Sequence, residues 1–309
     1  MKLSLRALTA AVAAGTLGGL LAITAPVSHA QSTADPMAAL SSAIAGTPTA
    51  TRTIDVNGTP RDFIVDIPAN YDPNRAYPVV LGYSGAWDTA DAFRGHSYIN
   101  KAVGNDAIVA YPQGVVDKLK NKPAWAGPKY ASQTIDDDVA FARALVADLA
   151  AQYNVDTNRI YATGLSNGGG AALSLACHAP DLVDGVTSSA GAYYDATVSN
   201  CVEDAHVPTL IMHHKDDHVI NINGGANDHG GHYKAARQVF DEFATRNGCA
   251  PGGNTNNWVV GAHTVSGSNC RAATEFATVV SPQVNNGHTW FKAVPSANLL
   301  SWEFFQNQA

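Results

Sequence analysis

The sequence lacks the features that mark metal, nucleic-acid and membrane proteins. Its four cysteines include no C-x-x-C pair, which argues against a zinc ribbon. Runs of Lys or Arg are absent. The formal net charge is −7, and it becomes −9 once the two basic residues of the first 30 are set aside. A chain with this balance is not expected to bind nucleic acid or an anionic membrane.

The first 30 residues have the layout of a secretory signal peptide. Lys2 and Arg6 precede a run of Ala, Leu and Gly, and the small-residue sequence SHA ends the segment, which predicts cleavage before Gln31. The apolar run is short, rich in Gly and Thr and without a stop-transfer cluster, so it is not expected to anchor the chain in a membrane. We therefore predict a secreted, extracellular protein.

The remaining sequence predicts one α/β domain. Neither an internal repeat nor a Pro-rich linker is present, so we assign residues 31–50 to a loose lead-in and 51–309 to a single domain. The pair Asn57-Gly58 joins two alternating runs as a hairpin. Strands are predicted at 77–84, 107–114, 159–165, 185–191, 208–214 and 275–281, and helices at 136–154, 233–249 and 296–308. This alternation indicates a mostly parallel central sheet flanked by helices on both faces.

The stretch YATGLSNGGG places Ser166 in a G-x-S-x-G pattern between strand 159–165 and a helix that starts at about Gly168. In this context a strained turn exposes the serine Oγ, and side chains at Gly164 and Gly168 would collide with neighbouring backbone. The following helix directs its positive end at the site. The alternative is a small residue in a glycine-rich loop, but the strand–turn–helix context favours a nucleophile.

A serine nucleophile needs a histidine that accepts its proton and a carboxylate that orients the histidine. Asp216 and Asp217 directly follow strand 208–214; Asp217 is the preferred acid and Asp216 the alternative. His288 is the one histidine that lies between the last predicted strand and the last helix. We therefore predict Ser166, Asp217 and His288 as the catalytic residues.

Backbone N–H groups and tryptophans complete the predicted site. The N–H groups of Asn167, after the nucleophile, and of Ala86, in the loop after strand 77–84, are the expected oxyanion donors. Trp87 and Trp125 are candidates to stack on a flat substrate group, and Trp290 is a third candidate contact beside the base.

The cysteines predict two disulfides. An even number in a secreted chain favours full pairing. The four residues are Cys177, Cys201, Cys249 and Cys270. Three pairings remain open, of which 177–201 with 249–270 closes the shortest loops.

A group of histidines suggests a competing hypothesis, a metal-dependent hydrolase. The group consists of His213, His214, His218, His229 and His232. It comes close to the H-x-H-x-D-H pattern of metallo-β-lactamase-type hydrolases, but Lys215 stands where the second ligand belongs, and its ammonium repels a cation. The preferred interpretation is polar loop histidines, some of them lining a cleft. We predict no metal and no cofactor.

Taken in order, YPVVLGYSGAW, VAYPQG, VDTNRIYATGLSNGGGAALSLAC, HHKDDHVININGG and NNGHTW resemble the secreted esterases of carbohydrate esterase family 1. These include feruloyl esterases, acetylxylan esterases and poly(3-hydroxybutyrate) depolymerase-like proteins. The resemblance runs from about residue 52 to the C-terminus and implies an α/β-hydrolase fold, the triad Ser166, Asp217 and His288, and the local disulfide pairing. The chain departs from the family at Ser84, where His is usual, and at His214, where Gly is usual.

The resemblance implies a serine esterase that acts through an acyl-enzyme. Hydroxycinnamoyl or acetyl esters of plant polysaccharides are the expected substrates, and a polyhydroxyalkanoate or other polyester is the alternative. A hypothesis from another class is a catalytically silent hydrolase fold that serves as a binding protein. Apart from the ester substrate we expect no partner, and we expect a monomer.

Overall fold

The structure, a computed structural model, describes residues 50–227, 230–250, 255–279 and 287–308. All of these belong to one structural unit. The predicted signal peptide and nearly all of the lead-in lie outside the described residues. Within the described ranges, no helix has both the length and the apolar character that a membrane span requires.

Ten strands of the described residues form one mixed sheet: β1 (Arg52–Val56), β2 (Thr59–Asp66), β3 (Tyr77–Tyr83), β4 (Ile108–Pro112), β7 (Val155–Leu165), β8 (Gly185–Ser189), β9 (Thr209–His214), β12 (Asn256–Val260), β13 (His263–Asn269) and β14 (Ala273–Val279). Their order in the sheet is β1-β2-β4-β3-β7-β8-β9-β14-β13-β12. The six central strands, from β4 to β14 in sheet order, are parallel, and two antiparallel strands flank them on each side. Two small hairpins pair β5 (Val115–Val116) with β6 (Pro123–Ala124) and β10 (Gly225–Asn227) with β11 (Gly231–Tyr233).

Helices cover both faces of the sheet. They are α1 (Ala90–Ser97), α2 (Ile99–Val103), α3 (Ile135–Gln152), α4 (Asn167–His178), α5 (Asp195–Val198), α6 (Ala236–Arg246) and α7 (Ala297–Gln306). Apolar side chains of α3, α4 and α6 belong to one buried cluster, and those of α1, α2 and α7 belong to a second. The predicted fold class, a central parallel sheet with helices on both faces, is confirmed.

Local sequence explains where several elements begin. Asn57 and Gly58 both have positive φ, at 54° and 82°, which is the backbone that the predicted two-residue turn requires. Helix α3 starts with a capping box: Thr134 accepts the N–H of Asp137, and the Asp137 carboxylate accepts the N–H of Thr134. These hydrogen bonds hold the pKa of Asp137 below its usual value.

The antiparallel extension of the sheet, β12 and β13, was not predicted. Strand β13 reads HTVSGSN, whose Ser, Gly and Asn residues have little intrinsic preference for strands. Its stability comes instead from hydrogen-bonded pairing with β14 along six residues. The two disulfides join Cys177 to Cys201 and Cys249 to Cys270, at sequence separations of 24 and 21.

Candidate active site

Ser166 lies on the sharp turn between β7 and α4. Its backbone has φ 56° and ψ −121°, a conformation that costs a residue with a side chain about 1–3 kcal/mol. Hydrogen bonds hold the turn: the Ser166 N–H donates to the Ser189 carbonyl at 3.0 Å, and the Ser166 carbonyl accepts from Gly170 and Ala192 at 3.1 and 2.9 Å. The side chain is partly exposed, so the turn presents the hydroxyl at the carboxyl end of the sheet.

The glycines on either side of Ser166 allow close backbone contact. A Cβ at Gly164 would lie 2.2 Å from the Gly168 carbonyl oxygen, and a Cβ at Gly168 would lie 2.2 Å from the Ser84 carbonyl oxygen. Neither approach is possible for a residue with a side chain. The expected collisions are therefore present, and they explain the G-x-S-x-G spacing at this turn.

A continuous hydrogen-bonded chain joins Ser166, His288 and Asp217. His288 Nε2 lies 2.9 Å from Ser166 Oγ, and His288 Nδ1 lies 2.9 Å from Asp217 Oδ2. The Asp217 side chain is fully buried, whereas His288 is partly exposed. Asp217, the preferred of the two candidate acids, is thus the one in contact with the histidine.

Asp217 has three further hydrogen-bond partners. Its Oδ1 accepts the backbone N–H groups of Val219 and Ile220, both at 2.9 Å. His213 Nε2 lies 3.3 Å from Oδ2 and 2.9 Å from the Ile220 carbonyl oxygen. Burial acts to raise the pKa of Asp217, but the hydrogen bonds from His213 and His288 outweigh it and hold that pKa well below its usual range. The carboxylate therefore stays ionised and fixed beside His288.

The backbone before His288 is packed against the segment that carries the acid. A Cβ at Gly287 would lie 2.4 Å from the Asp216 carbonyl oxygen and 2.6 Å from the Asp217 nitrogen. Glycine at position 287 thus lets the histidine approach its carboxylate.

Both predicted oxyanion donors are free to bind a ligand. Among the hydrogen bonds of the described residues, the backbone N–H groups of Ala86 and Asn167 have no acceptor. Gly85 places the first of them beside Ser166, since a Cβ at that residue would lie 3.6 Å from Ser166 Cβ. The N–H of Asn167 opens helix α4, where the helix dipole favours negative charge.

The segment 123–126 connects the two regions that carry these N–H groups. Asn167 Oδ1 accepts the Trp125 N–H at 2.7 Å, and its Nδ2 donates to the Trp125 carbonyl at 3.2 Å. The Trp125 indole Nε1 donates to the Ser84 carbonyl at 2.9 Å, and the Trp87 N–H donates to the Pro123 carbonyl at 2.6 Å. Four hydrogen bonds thus fix loop 84–87 relative to the start of α4.

A buried ion pair supports this segment from behind. Arg61 of β2 contacts Asp138 of α3 at 3.0 Å, and both side chains are buried. Asp138 Oδ2 accepts the Ala126 N–H at 2.8 Å. Burial raises the pKa of Asp138, against the opposing effect of Arg61. Asp138, in the first turn of α3, therefore links β2 to segment 123–126.

The three candidate tryptophans occupy different environments. Trp87 is 38% exposed beside loop 84–87, whereas Trp125 and Trp290 are 1% and 3% exposed. Trp125 packs edge-on against Tyr83, and Trp290 packs edge-on against Phe93. The expectation that Trp125 and Trp290 contact a substrate is corrected, because neither ring has a face open to solvent. Trp87 remains a candidate contact.

The histidines of the competing hypothesis that the structure describes do not converge. His213 and His214 are buried strand residues rather than loop residues, His218 is exposed, and His232 contacts Asp195 on the surface. His229 lies outside the described residues. Within the described ranges, no group of three His, Cys, Asp or Glu side chains could hold a metal ion. The interpretation as polar loop histidines is wrong for His213 and His214, which are buried on β9, and His213 contacts Asp217.

Sequence reasoning missed three contributors to this geometry: His213, Asp138 and the side chain of Asn167. His213 was considered only as a possible metal ligand or as a polar loop residue. The one local signal was its position at the end of a strand, four residues before Asp217. The roles of Asp138 and Asn167 depend on segment 123–126, which no periodic pattern places near them.

A parallel sheet, a strained serine between strand and helix, and a histidine and an aspartate beyond later strands define the α/β-hydrolase fold. A family model described as "Putative esterase" matches residues 55–250, more than half of the chain. The chain belongs to this esterase family.

Curated relatives agree with this assignment, and a solved structure has the same fold. The chain is 30% identical over 197 residues to feruloyl esterase B of Piromyces equi, a match that covers 61% of this chain and 36% of that protein. It is 29% identical over 202 residues to a probable feruloyl esterase C of Aspergillus clavatus, covering 63% and 64%. The chain thus spans from about a third to just under two thirds of these curated relatives. The structure of an acetyl xylan esterase from Aspergillus awamori has a TM-score of 0.59 at 13% identity, covering 84% of this chain and 100% of that one. The resemblance stated from the motifs is confirmed.

Proposed function

We propose that this protein hydrolyses carboxylic esters through an acyl-enzyme on Ser166. The observation that carries the proposal is the unbroken hydrogen-bonded chain from Ser166 Oγ through both nitrogens of His288 to Asp217, with 2.9 Å at each step. This is the arrangement that activates a serine hydroxyl, which is otherwise a weak nucleophile at neutral pH.

In the acylation step, Ser166 Oγ attacks the ester carbonyl carbon while His288 Nε2 accepts the hydroxyl proton. The carbonyl π electrons move to oxygen, which gives a tetrahedral oxyanion. When the oxyanion collapses, the bond to the alcohol oxygen breaks, and His288 gives its proton to the leaving alcohol. Water then repeats the sequence: His288 accepts a proton from it, hydroxide adds to the acyl carbon, and the bond to Ser166 Oγ breaks as Oγ regains a proton.

Asp217 and two backbone amides stabilise the charges that develop in these steps. The buried Asp217 carboxylate holds the Nδ1–H tautomer of His288 and stabilises the imidazolium that forms. The N–H groups of Ala86 and Asn167 receive the oxyanion, since no acceptor among the described residues occupies them. Preorganised donors of this kind contribute about 10²–10³ each to kcat.

We propose hydroxycinnamoyl or acetyl esters on plant polysaccharide as the substrates. The names of the relatives, feruloyl esterases, and of the structural neighbour, an acetyl xylan esterase, support this class.

We also propose that the chain is secreted with residues 51–309 as the catalytic domain. Two disulfides, which persist in oxidising compartments, support secretion.

An active-site probe and a substrate panel test the proposal. A fluorophosphonate should label the wild type and leave Ser166→Ala unlabelled.

Asp217→Asn should lower kcat about 10⁴-fold, because the wrong histidine tautomer becomes favoured. Asp216→Asn, at the adjacent carboxylate, is the matched control and should keep near-normal turnover. Methyl ferulate, acetylated xylan and hydroxybutyrate oligomers then assign the acyl group. Absence of labelling, or equal labelling of Ser166→Ala, would refute an enzymatic function and favour a binding protein.

A further inference from the structure

Lysines are concentrated in one part of this acidic chain. Four of its nine lysines lie between residues 118 and 129, although the chain has a net charge of −7. We name Lys118, Lys120, Lys122 and Lys129 the basic patch; the first three lie on the β5–β6 hairpin and the fourth shortly after it. All four side chains are exposed.

No carboxylate of the described residues forms an ion pair with the four lysines of the basic patch. The acid next to them, Asp117, is buried. Its Oδ1 accepts the backbone N–H groups of Leu119, Lys120 and Asn121, and its Oδ2 accepts the Trp87 indole N–H. Asp117 therefore offsets one charge but offers no oxygen to a lysine side chain.

Two acidic residues on neighbouring elements have partners of their own. Asp88, next to Trp87, contacts His96 at 2.8 Å, and Asp195 contacts His232 at 3.2 Å. The exposed ammonium groups of the basic patch are thus available to a ligand.

The basic patch adjoins the candidate active site through Trp87. Lys120 Nζ lies 5.7 Å from the centre of the Trp87 ring, and the Tyr130 ring lies 5.8 Å from it on the hairpin side. Trp87 follows Ala86, one of the two proposed oxyanion donors. Its φ of 69° is costly, and its backbone and indole N–H groups are both bonded to the hairpin that carries the lysines. The hairpin thus fixes an exposed indole beside the proposed reaction centre.

A partly exposed indole with one lysine beside it, on a hairpin that carries further exposed lysines, fits a particular ligand chemistry. The C–H face of a sugar ring packs on an indole, and the ammonium groups attract carboxylates attached to neighbouring sugars. We propose that the basic patch and Trp87 bind the polysaccharide portion of the substrate and select chains that carry uronic-acid carboxylates. This proposal rests on the proposed function in one respect: it assigns the bound polysaccharide to the ester that Ser166 cleaves.

Binding can be measured without hydrolysis. Ser166→Ala protein is run through native gels that contain glucuronoxylan, or the same polysaccharide with its carboxyl groups reduced to alcohols. We expect retardation in the first gel to be at least fivefold stronger than in the second and to fall as salt is raised to 0.3 M, because exposed charges are screened. Lys118→Gln/Lys120→Gln should weaken binding about fivefold. The control pair Lys101→Gln/Lys292→Gln removes the same charge from exposed lysines outside the basic patch and should leave binding unchanged.

Equal retardation by the native and the reduced polysaccharide would overturn the proposal, as would an equal loss in the control pair. The proposal would also be overturned if DNA, added at the same concentration of charge, competed as strongly as glucuronoxylan. The basic patch would then be a general polyanion site. Fluorophosphonate labelling of the wild type is a separate readout. A labelled enzyme that does not discriminate between the gels contradicts only the basic-patch proposal, and selective binding by an unlabelled protein contradicts only the esterase proposal.

Discussion

Replacing Trp125 by phenylalanine removes one hydrogen-bond donor from a buried site and keeps an aromatic ring there. The indole Nε1–H donates to the Ser84 carbonyl at 2.9 Å, and both residues are 1% exposed. The substitution leaves that carbonyl buried without its donor. Because Ser84 precedes the loop that carries the Ala86 N–H, we expect the loop to shift and the proposed oxyanion site to lose its alignment.

The structure sets the size of both effects. An unpaired buried carbonyl costs about 1–3 kcal/mol of folding stability. The smaller ring leaves a gap of roughly 40 Å³, which adds about 1 kcal/mol at about 24 cal/mol per Å³. Complete loss of one oxyanion donor lowers kcat about 10²–10³-fold, so a misaligned donor should lower it about 10- to 100-fold. The Michaelis constant should change little, because the donor acts mainly in the transition state.

The assay combines turnover of a soluble aryl ester with inhibition by a boronic acid, which forms a tetrahedral adduct on the serine. In Trp125→Phe the affinity for the boronic acid should fall in parallel with kcat/KM, while the affinity for the carboxylic acid product stays the same. A purely structural defect would lower the melting temperature without this selective loss. Trp302→Phe makes the same change in a half-buried tryptophan that packs with the core on the other face of the sheet, and it serves as the control. A folded Trp125→Phe enzyme with kcat within twofold of the wild type would refute the reasoning.

Three further predictions follow from close contacts and buried titrating groups. Gly287→Ala places a Cβ 2.4 Å from the Asp216 carbonyl oxygen, so His288 should move and kcat/KM should fall about 100-fold; an unchanged rate would contradict this. Burial lowers the pKa of His214 to about 4, so the native state binds fewer protons than the unfolded chain between pH 6.5 and 4. The stabilising contribution of neutral His214 is fully present above pH 6.5, and its loss down to pH 4 lowers the free energy of unfolding by about 3 kcal/mol. Urea unfolding should therefore show a smaller loss of unfolding free energy over this pH range for His214→Leu than for the wild type. Burial and the nearby Glu303 raise the pKa of Glu275 to about 7, so its stability contribution is present below pH 4.5 and lost as pH rises through 7. Glu275→Gln should therefore be about 1–2 kcal/mol more stable than the wild type at pH 8 but not at pH 4, and equal gains at both would contradict the assignment.

Much of the α/β core could be predicted, because its signals are local. Buried parallel strands appear in the sequence as short apolar runs, and helix α3 is indicated by its periodicity and a capping box. Strand β13 could not be predicted in this way, since its polar residues are held by pairing with β14. The burial of Trp125 and Trp290 could not be predicted either, because the sequence around an isolated tryptophan does not indicate whether its ring is buried.

The sequence by itself was enough to predict the chemistry proposed for Ser166: a serine between glycines after a strand, followed in order by an acid and a histidine past later strands. Those residues are tied to strand ends, and parallel strands bring their carboxyl ends to one edge of the sheet. Only the tertiary structure decided what surrounds them. His213 beside Asp217, segment 123–126 between Ser84 and Asn167, and the lysines beside Trp87 come from chain segments that meet only after folding. Their contacts depend on loop paths, which local sequence patterns do not specify.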